Sequence, residues 1–266
     1  MKRGGRQKLY ISDIVAAVFA ITFSISLKFL STTTLLLWLI EIPFLLFVGF
    51  SFKERIFRYL SYALSVYVGV RLAFLSYMGM PNIDFLGLIW TCQEFMFLWA
   101  TISMATCFHL IKRAKSRTEF DSIDQTFGQL FIVATCLYLT YLIYLLINTS
   151  WMSFALSIEI LFLLFLGFIL KEKAFRYFSY LLSILVAIRF FFFYSSSGGD
   201  NVHFLGLTWT WQEFLCLWTS LSMAGCFCLT RHARKQSQTN SIDEFFDHAF
   251  PALACSYLTF LIYSLV

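Results

Sequence analysis

Proline and charge are what this chain has least of. Its 266 residues include three prolines and twelve glycines, and Asp, Glu, Lys and Arg together make up only 13%. A soluble domain carries about 25% charged residues, so an ordinary water-facing surface is excluded for a chain of this length. A transmembrane barrel would alternate in segments of about 10 residues, and that alternation is missing too. There is no glycine-rich phosphate loop, no zinc spacing and no serine elbow. The seven cysteines (92, 107, 136, 216, 226, 228 and 255) all lie inside apolar runs, where thiols act as small hydrophobes and not as a disulfide framework. The histidines at 109, 203, 232 and 248 are dispersed. No metal centre and no cofactor are therefore expected.

What is present is hydrophobic residue in bulk: 59% of the chain, with 33 phenylalanines. At about 20 residues per helical crossing, nearly the whole length is used up in the membrane. The expected architecture is all-α and polytopic, with spans near 9–27, 33–52, 56–78, 84–111, 124–147, 151–170, 174–194, 203–230 and 243–265. That makes nine. With the N-terminus inside, 17 of the 20 lysines and arginines fall in inner segments, which hold Lys2 to Lys8, Lys53 to Arg58, Lys112 to Arg117, Lys171 to Arg176 and Arg231 to Lys235. Such a partition follows the positive-inside rule. It places the chain in a plasma or bacterial inner membrane, N-terminus cytoplasmic and C-terminus extracytoplasmic, and it leaves no basic patch for nucleic acid.

The chain also repeats itself. Residues 41–74 match residues 159–192 at 20 of 34 positions, and residues 85–110 match 204–229 at 17 of 26, after one inserted residue. Because each repeated unit has four helices, the two copies share orientation and are parallel repeats, related by an axis along the membrane normal. The corresponding division is 1–32 for the N-terminus and first span, 33–147 for one four-helix repeat and 151–266 for the other. Ser122 to Asp124 and Ser241 to Asp243 suit helix N-termini, where acidic side chains meet free amides and a positive dipole end.

Charges survive inside the repeated spans. At 1.5 Å per residue, Glu41, Arg71 and Glu94 would all lie on the order of 10 to 15 Å below the outer surface. Glu159, Arg189 and Glu213 repeat the set, with Gln93 and Gln212 alongside and Trp90 and Trp209 one turn outward as aromatic lining. A charge at mid-membrane costs about 2.5 to 3.5 kcal/mol on insertion scales, so the expectation is two Glu/Arg/Glu clusters, each pairing internally or lining a wet cavity. Two uses follow for them. The first is a substrate or ion site of a small transporter or ion-coupled permease. The second is a structural clasp within a noncatalytic subunit or sensor, whose phenylalanine-rich faces would meet other membrane subunits or a second copy of the chain. A lipid-modifying enzyme using Glu41 or Glu94 as acid or base is a third, weaker reading.

Overall fold

The computed structural model describes residues 32–75, 82–85, 88–115, 120–147, 151–193, 201–204, 207–235 and 240–265. The expected first span, 9–27, lies outside the described residues. Eight helices are found among those that are described: α1 (Thr32–Ser51), α2 (Arg55–Leu75), α3 (Cys92–Ala114), α4 (Ser122–Leu146), α5 (Met152–Ile169), α6 (Lys173–Phe193), α7 (Trp211–Lys235) and α8 (Ser241–Leu265). The fold is all-helical apart from two short hairpins. Six helices, all but α2 and α6, are long and apolar enough to cross a membrane. The other two are set apart by their basic residues, Arg55, Arg58 and Arg71 in α2 and Lys173, Arg176 and Arg189 in α6.

The burial pattern is consistent with helices that cross a bilayer. On α1, Leu35, Trp38, Leu39, Ile42, Leu45 and Leu46 are buried at helical spacing, yet Leu37, Ile40, Phe44 and Phe47 on the opposite face are exposed and just as apolar. A helix that is hydrophobic all round needs an apolar surround on the side its neighbours leave open. The same holds for α5, where Leu156, Ile160, Leu163 and Leu164 are buried while Ile158, Phe162 and Phe165 face outward.

The chain forms two compact units, Met1–Gln125 and Thr126–Val266. In the first, α1 packs on both α2 and α3; in the second, α5 packs on α6 and α7, and α7 on α8. Pro43 interrupts α1, and a proline cannot bond the carbonyl four residues before it. That carbonyl, on Leu39, accepts instead from the Ser103 hydroxyl of α3 at 2.6 Å. A neighbouring serine thus restores the bond that the proline removes, as apolar surroundings require.

Both helical pairs turn on the same device. α1 ends with Lys53 at φ 58° and α5 with Lys171 at φ 57°. The following amides, on Glu54 and Glu172, donate back to the carbonyls of Gly49 and Gly167, each at 3.0 Å. This is the six-to-one bond of a Schellman ending, whose left-handed position normally belongs to glycine. Lysine there is strained, while its charge meets the negative end of the helix dipole. Lys171→Gly should accordingly raise stability in detergent by about 1 kcal/mol, the usual left-handed penalty; a thermal unfolding midpoint that falls would show that the lysine charge outweighs the strain.

The spans expected to begin at 84 and 203 begin later. Residues Asn82–Phe85 and Leu88–Thr91 pair as an antiparallel hairpin, β1 and β2, with Ile83 opposite Trp90; Asn201–Phe204 and Leu207–Thr210 form β3 and β4 in the same register, with Val202 opposite Trp209. Only then do α3 and α7 start, at Cys92 and Trp211. β-Branched and aromatic residues in these stretches suit a pleated ribbon better than a helix.

Candidate functional site

Two carboxyl side chains are buried in the middle of membrane-length helices: Glu41 in α1 and Glu159 in α5. Glu159 is 3% exposed. Its Oε1 accepts a hydrogen bond from the Thr140 hydroxyl of α4 at 2.6 Å. Its Oε2 is buried and has no hydrogen-bond partner among the described residues. The sequence explains why no cation among the described residues pairs with it. Neither α4 beyond Asp124, nor α6 between Arg176 and Arg189, nor α7 between Glu213 and Arg231 contains a lysine or arginine.

The other members of the expected clusters are placed differently. Glu94 and Glu213 do not lie deep in their helices. Because α3 and α7 begin only two residues earlier, each glutamate sits in the first turn and closes a capping box. The Glu94 carboxylate accepts from the Thr91 amide at 2.7 Å while the Thr91 hydroxyl accepts from the Glu94 amide at 3.2 Å. Thr210 and Glu213 do the same at 2.8 and 3.3 Å. Arg71 lies over the Trp38 ring, 5.7 Å from its centroid, and its Nη1 stands 3.5 Å from the Tyr67 hydroxyl. Arg189 points its Nη1 at Met152 Sδ, 3.2 Å away.

Among the described residues, no ion pair joins Arg71 to Glu41 or Glu94, or Arg189 to Glu159 or Glu213. The physical cause is the late helix start, which turns the second glutamate of each set toward backbone amides. Gln93 and Gln212 are half-buried beside those glutamates in the first turns of α3 and α7. Trp90 and Trp209 belong to the hairpin strands β2 and β4 and are half-buried.

What sequence reasoning missed lies at the other end of the helices. Arg58 of α2 is ion-paired to Asp124 in the first turn of α4, the Tyr62 hydroxyl donates to Asp124 Oδ1 at 2.8 Å, and the Asp121 amide donates to Oδ2 at 3.1 Å. Arg176 of α6 is ion-paired to Asp243 of α8, with the Tyr180 hydroxyl at 2.8 Å and the Asn240 amide at 2.8 Å. All six side chains are buried. Each guanidinium also lies over a phenylalanine: Arg58 over Phe50 at 5.3 Å and Arg176 over Phe168 at 5.2 Å.

The aspartates do serve their helix N-termini, as their sequence positions imply. Their second task is to hold a buried arginine and tyrosine drawn from a helix more than 60 residues away. One signal was available, the Arg-x-x-x-Tyr spacing that puts both donors on one helix face. A further buried carboxylate, Asp247, accepts from Thr230 and Arg234, each at 3.2 Å. It stands in α8 where Pro251 leaves its carbonyl without the usual helix donor.

The chain matches no known protein family, no curated protein and no solved structure. Chemistry alone must therefore separate the two kinds of site. The Arg–Asp–Tyr sets are neutral, and both aspartate oxygens are satisfied, so they suit structure. Glu159 is a buried carboxyl whose second oxygen has no hydrogen-bond partner among the described residues, and that arrangement suits a ligand that comes and goes. Among the described residues no group of three or more His, Cys, Asp or Glu could hold a metal ion.

Proposed function

We propose that the chain is a small membrane transporter or ion-coupled permease whose working side chains are the mid-span carboxyls Glu41 and Glu159. The observation that carries this reading is Glu159 itself. An ionisable group within a membrane span is expensive and, by default, functional, and here the expense is not offset by a cation among the described residues. The finer architecture belongs to the same proposal: nine crossings, a cytoplasmic N-terminus and a tandem four-helix duplication. It is supported by the distribution of lysine and arginine and by the recurrence, 118 or 119 residues on, of the Schellman ending, the hairpin, the capping box and the buried Arg–Asp–Tyr set. In that orientation the hairpins sit at the outer surface and the Arg–Asp–Tyr sets near the inner one.

Purified chain in liposomes, loaded with a pH-reporting dye or with a sodium or potassium tracer, should pass at least one of these ions down an imposed gradient. Glu159→Gln should slow that flux by about tenfold or more, as expected for a residue on an ion path. Flux equal to that of empty liposomes under every gradient would retire the permease.

A second reading has its own support. Glu94 and Glu213 are engaged in capping boxes and Asp124 and Asp243 in buried ion pairs, so most of the acidic residues near the helix ends serve packing. A noncatalytic subunit or sensor of a membrane complex would look like this. It would leave the native membrane in a mild detergent with stoichiometric partner subunits, and the permease would leave it alone or as copies of itself.

A further inference from the structure

We propose that Glu159 and Thr140 form a proton-binding site in which a single hydroxyl reverses its hydrogen bond as the carboxyl gains or loses its proton. The inference deepens the permease reading by naming the ion, and it rests on that reading for its role in transport. The geometry is specific. Thr140 Oγ1 lies 2.6 Å from Glu159 Oε1 and 2.9 Å from the backbone carbonyl oxygen of Cys136, one turn back in the same helix. A hydroxyl has one hydrogen to give and two lone pairs with which to accept, so it cannot donate to both oxygens at once.

Each of the two arrangements fits one protonation state. When Glu159 is ionised, the Thr140 hydrogen goes to Oε1. When Glu159 carries a proton, its O–H donates to Thr140 Oγ1 and the Thr140 hydrogen turns to the Cys136 carbonyl, the usual helix back-bond of threonine. Both distances suit a hydrogen bond in either state, so the site accommodates a change of charge without a change of backbone. The proton comes from hydronium, leaving water, and returns to water on release.

The surroundings of Glu159 within its unit contain few competing charges. On α4 the ionisable side chains around Thr140 are the Cys136 thiol, buried one turn before it, and the phenols of Tyr138, Tyr141 and Tyr144. α7 runs alongside α5 so closely that a Cβ on Gly225 would meet Leu161 at 3.0 Å, and its stretch level with Glu159, Thr219 to Met223, is uncharged. α6 runs back from the Gly167–Arg176 contact, and its stretch at that level, Ser183 to Ile188, is uncharged as well. Arg189 lies further out, against Met152, seven residues from Glu159 along α5. A metal cation is disfavoured because one carboxyl and one hydroxyl fall short of the six or more oxygens that hard cations take.

Infrared difference spectra of the full chain in lipid vesicles, recorded between acid and alkaline pH, test this without any flux measurement. A carboxylic-acid carbonyl band should fade as pH rises, vanish from the difference spectrum in Glu159→Gln, move to higher frequency in Thr140→Val where the hydroxyl is lost, and return to its place in Thr140→Ser. If the difference spectrum of Glu159→Gln matches that of the parent, the proton site is overturned. If the band is insensitive to both Thr140 substitutions, the reversing hydroxyl is overturned. Thr140→Val and Thr140→Ser keep the comparison open should Glu159→Gln fold poorly, since an unmoved band in folded Thr140→Val is already decisive against the pair. A titrating Glu159 band in vesicles that pass no ion would retire the permease and leave the proton site standing; ion flux with no such band would do the reverse.

Discussion

Asp243→Ala should destabilise the second unit severely, by about 3 to 5 kcal/mol. Asp243 is 1% exposed and Arg176 4%, and truncating the aspartate leaves a guanidinium and the Tyr180 hydroxyl facing an apolar gap. Removing one partner of a buried pair costs about 3 to 5 kcal/mol, a large share of the roughly 5 to 15 kcal/mol that holds a typical protein together. The α8 N-terminus suffers too, because the Asn240 amide loses its acceptor. Removing both charges is a different experiment: Arg176→Met with Asp243→Leu replaces the pair by apolar groups of similar volume, which is often close to neutral. The double variant should thus recover most of what Asp243→Ala loses. Thermal unfolding midpoints in detergent would read both effects.

The matching change in the first unit should be milder. Asp124→Ala leaves Asp121, whose carboxylate is already 4.0 Å from Arg58, 3.4 Å from Arg55 and 3.3 Å from the Tyr59 hydroxyl. The second unit has Asn240 where the first has Asp121, so it has no spare carboxylate there. Equal losses in the two units would mean that Asp121 is too exposed to take over.

These pairs mark the limit of what the residues reveal in order. Helix extents were legible for most spans because apolar runs of membrane length end at Lys-Glu turns, and observed α1, α2, α4, α5, α6 and α8 begin and end within a few residues of the expected spans. The hairpins were not. Ile83 to Thr91 and Val202 to Thr210 are as apolar as the helices they precede, and a length-and-hydropathy reading absorbs such stretches. Gly87 and Gly206, inside those runs, were the available warning, since glycine within a helix costs about 1 kcal/mol relative to alanine. With the hairpins read as helix, Glu94 and Glu213 were expected well inside their spans, and the structure has them in the first turns of α3 and α7. Glu41 and Glu159 were legible as buried charges because a carboxylate within an apolar run has nowhere polar to go. The partner of Glu159 was not legible: arginine was expected from charge balance, and the structure supplies the Thr140 hydroxyl, one of several mid-span threonines that sequence alone does not rank.

Gly167→Ala should destabilise the second unit by a route that ends at the same arginine. A Cβ at Gly167 would lie 2.6 Å from Arg176 Cγ, 3.1 Å from the Arg176 amide nitrogen and 3.3 Å from Phe175 Cβ; at Gly49 the corresponding contacts with Arg58 and Phe57 are 2.7, 3.0 and 3.2 Å. The arginine stem cannot retreat, because its guanidinium is bound to Asp243 and lies over Phe168. The backbone amide cannot retreat without moving α6. Overpacking of this kind costs about 1 to 3 kcal/mol, and a bulkier Gly167→Val should cost more. The clash and the ion pair then share one side chain, so the effects cannot be independent. In Gly167→Ala combined with Asp243→Ala, Arg176 is no longer tethered and can swing away from the new methyl group. The double variant should lose less than the two single losses added together, by a coupling of about 0.5 to 3 kcal/mol, the range for residues in one network. Additive losses would mean that the glycine serves only the helix crossing and that the ion pair tolerates the displacement, which would separate two features that the geometry joins through Arg176.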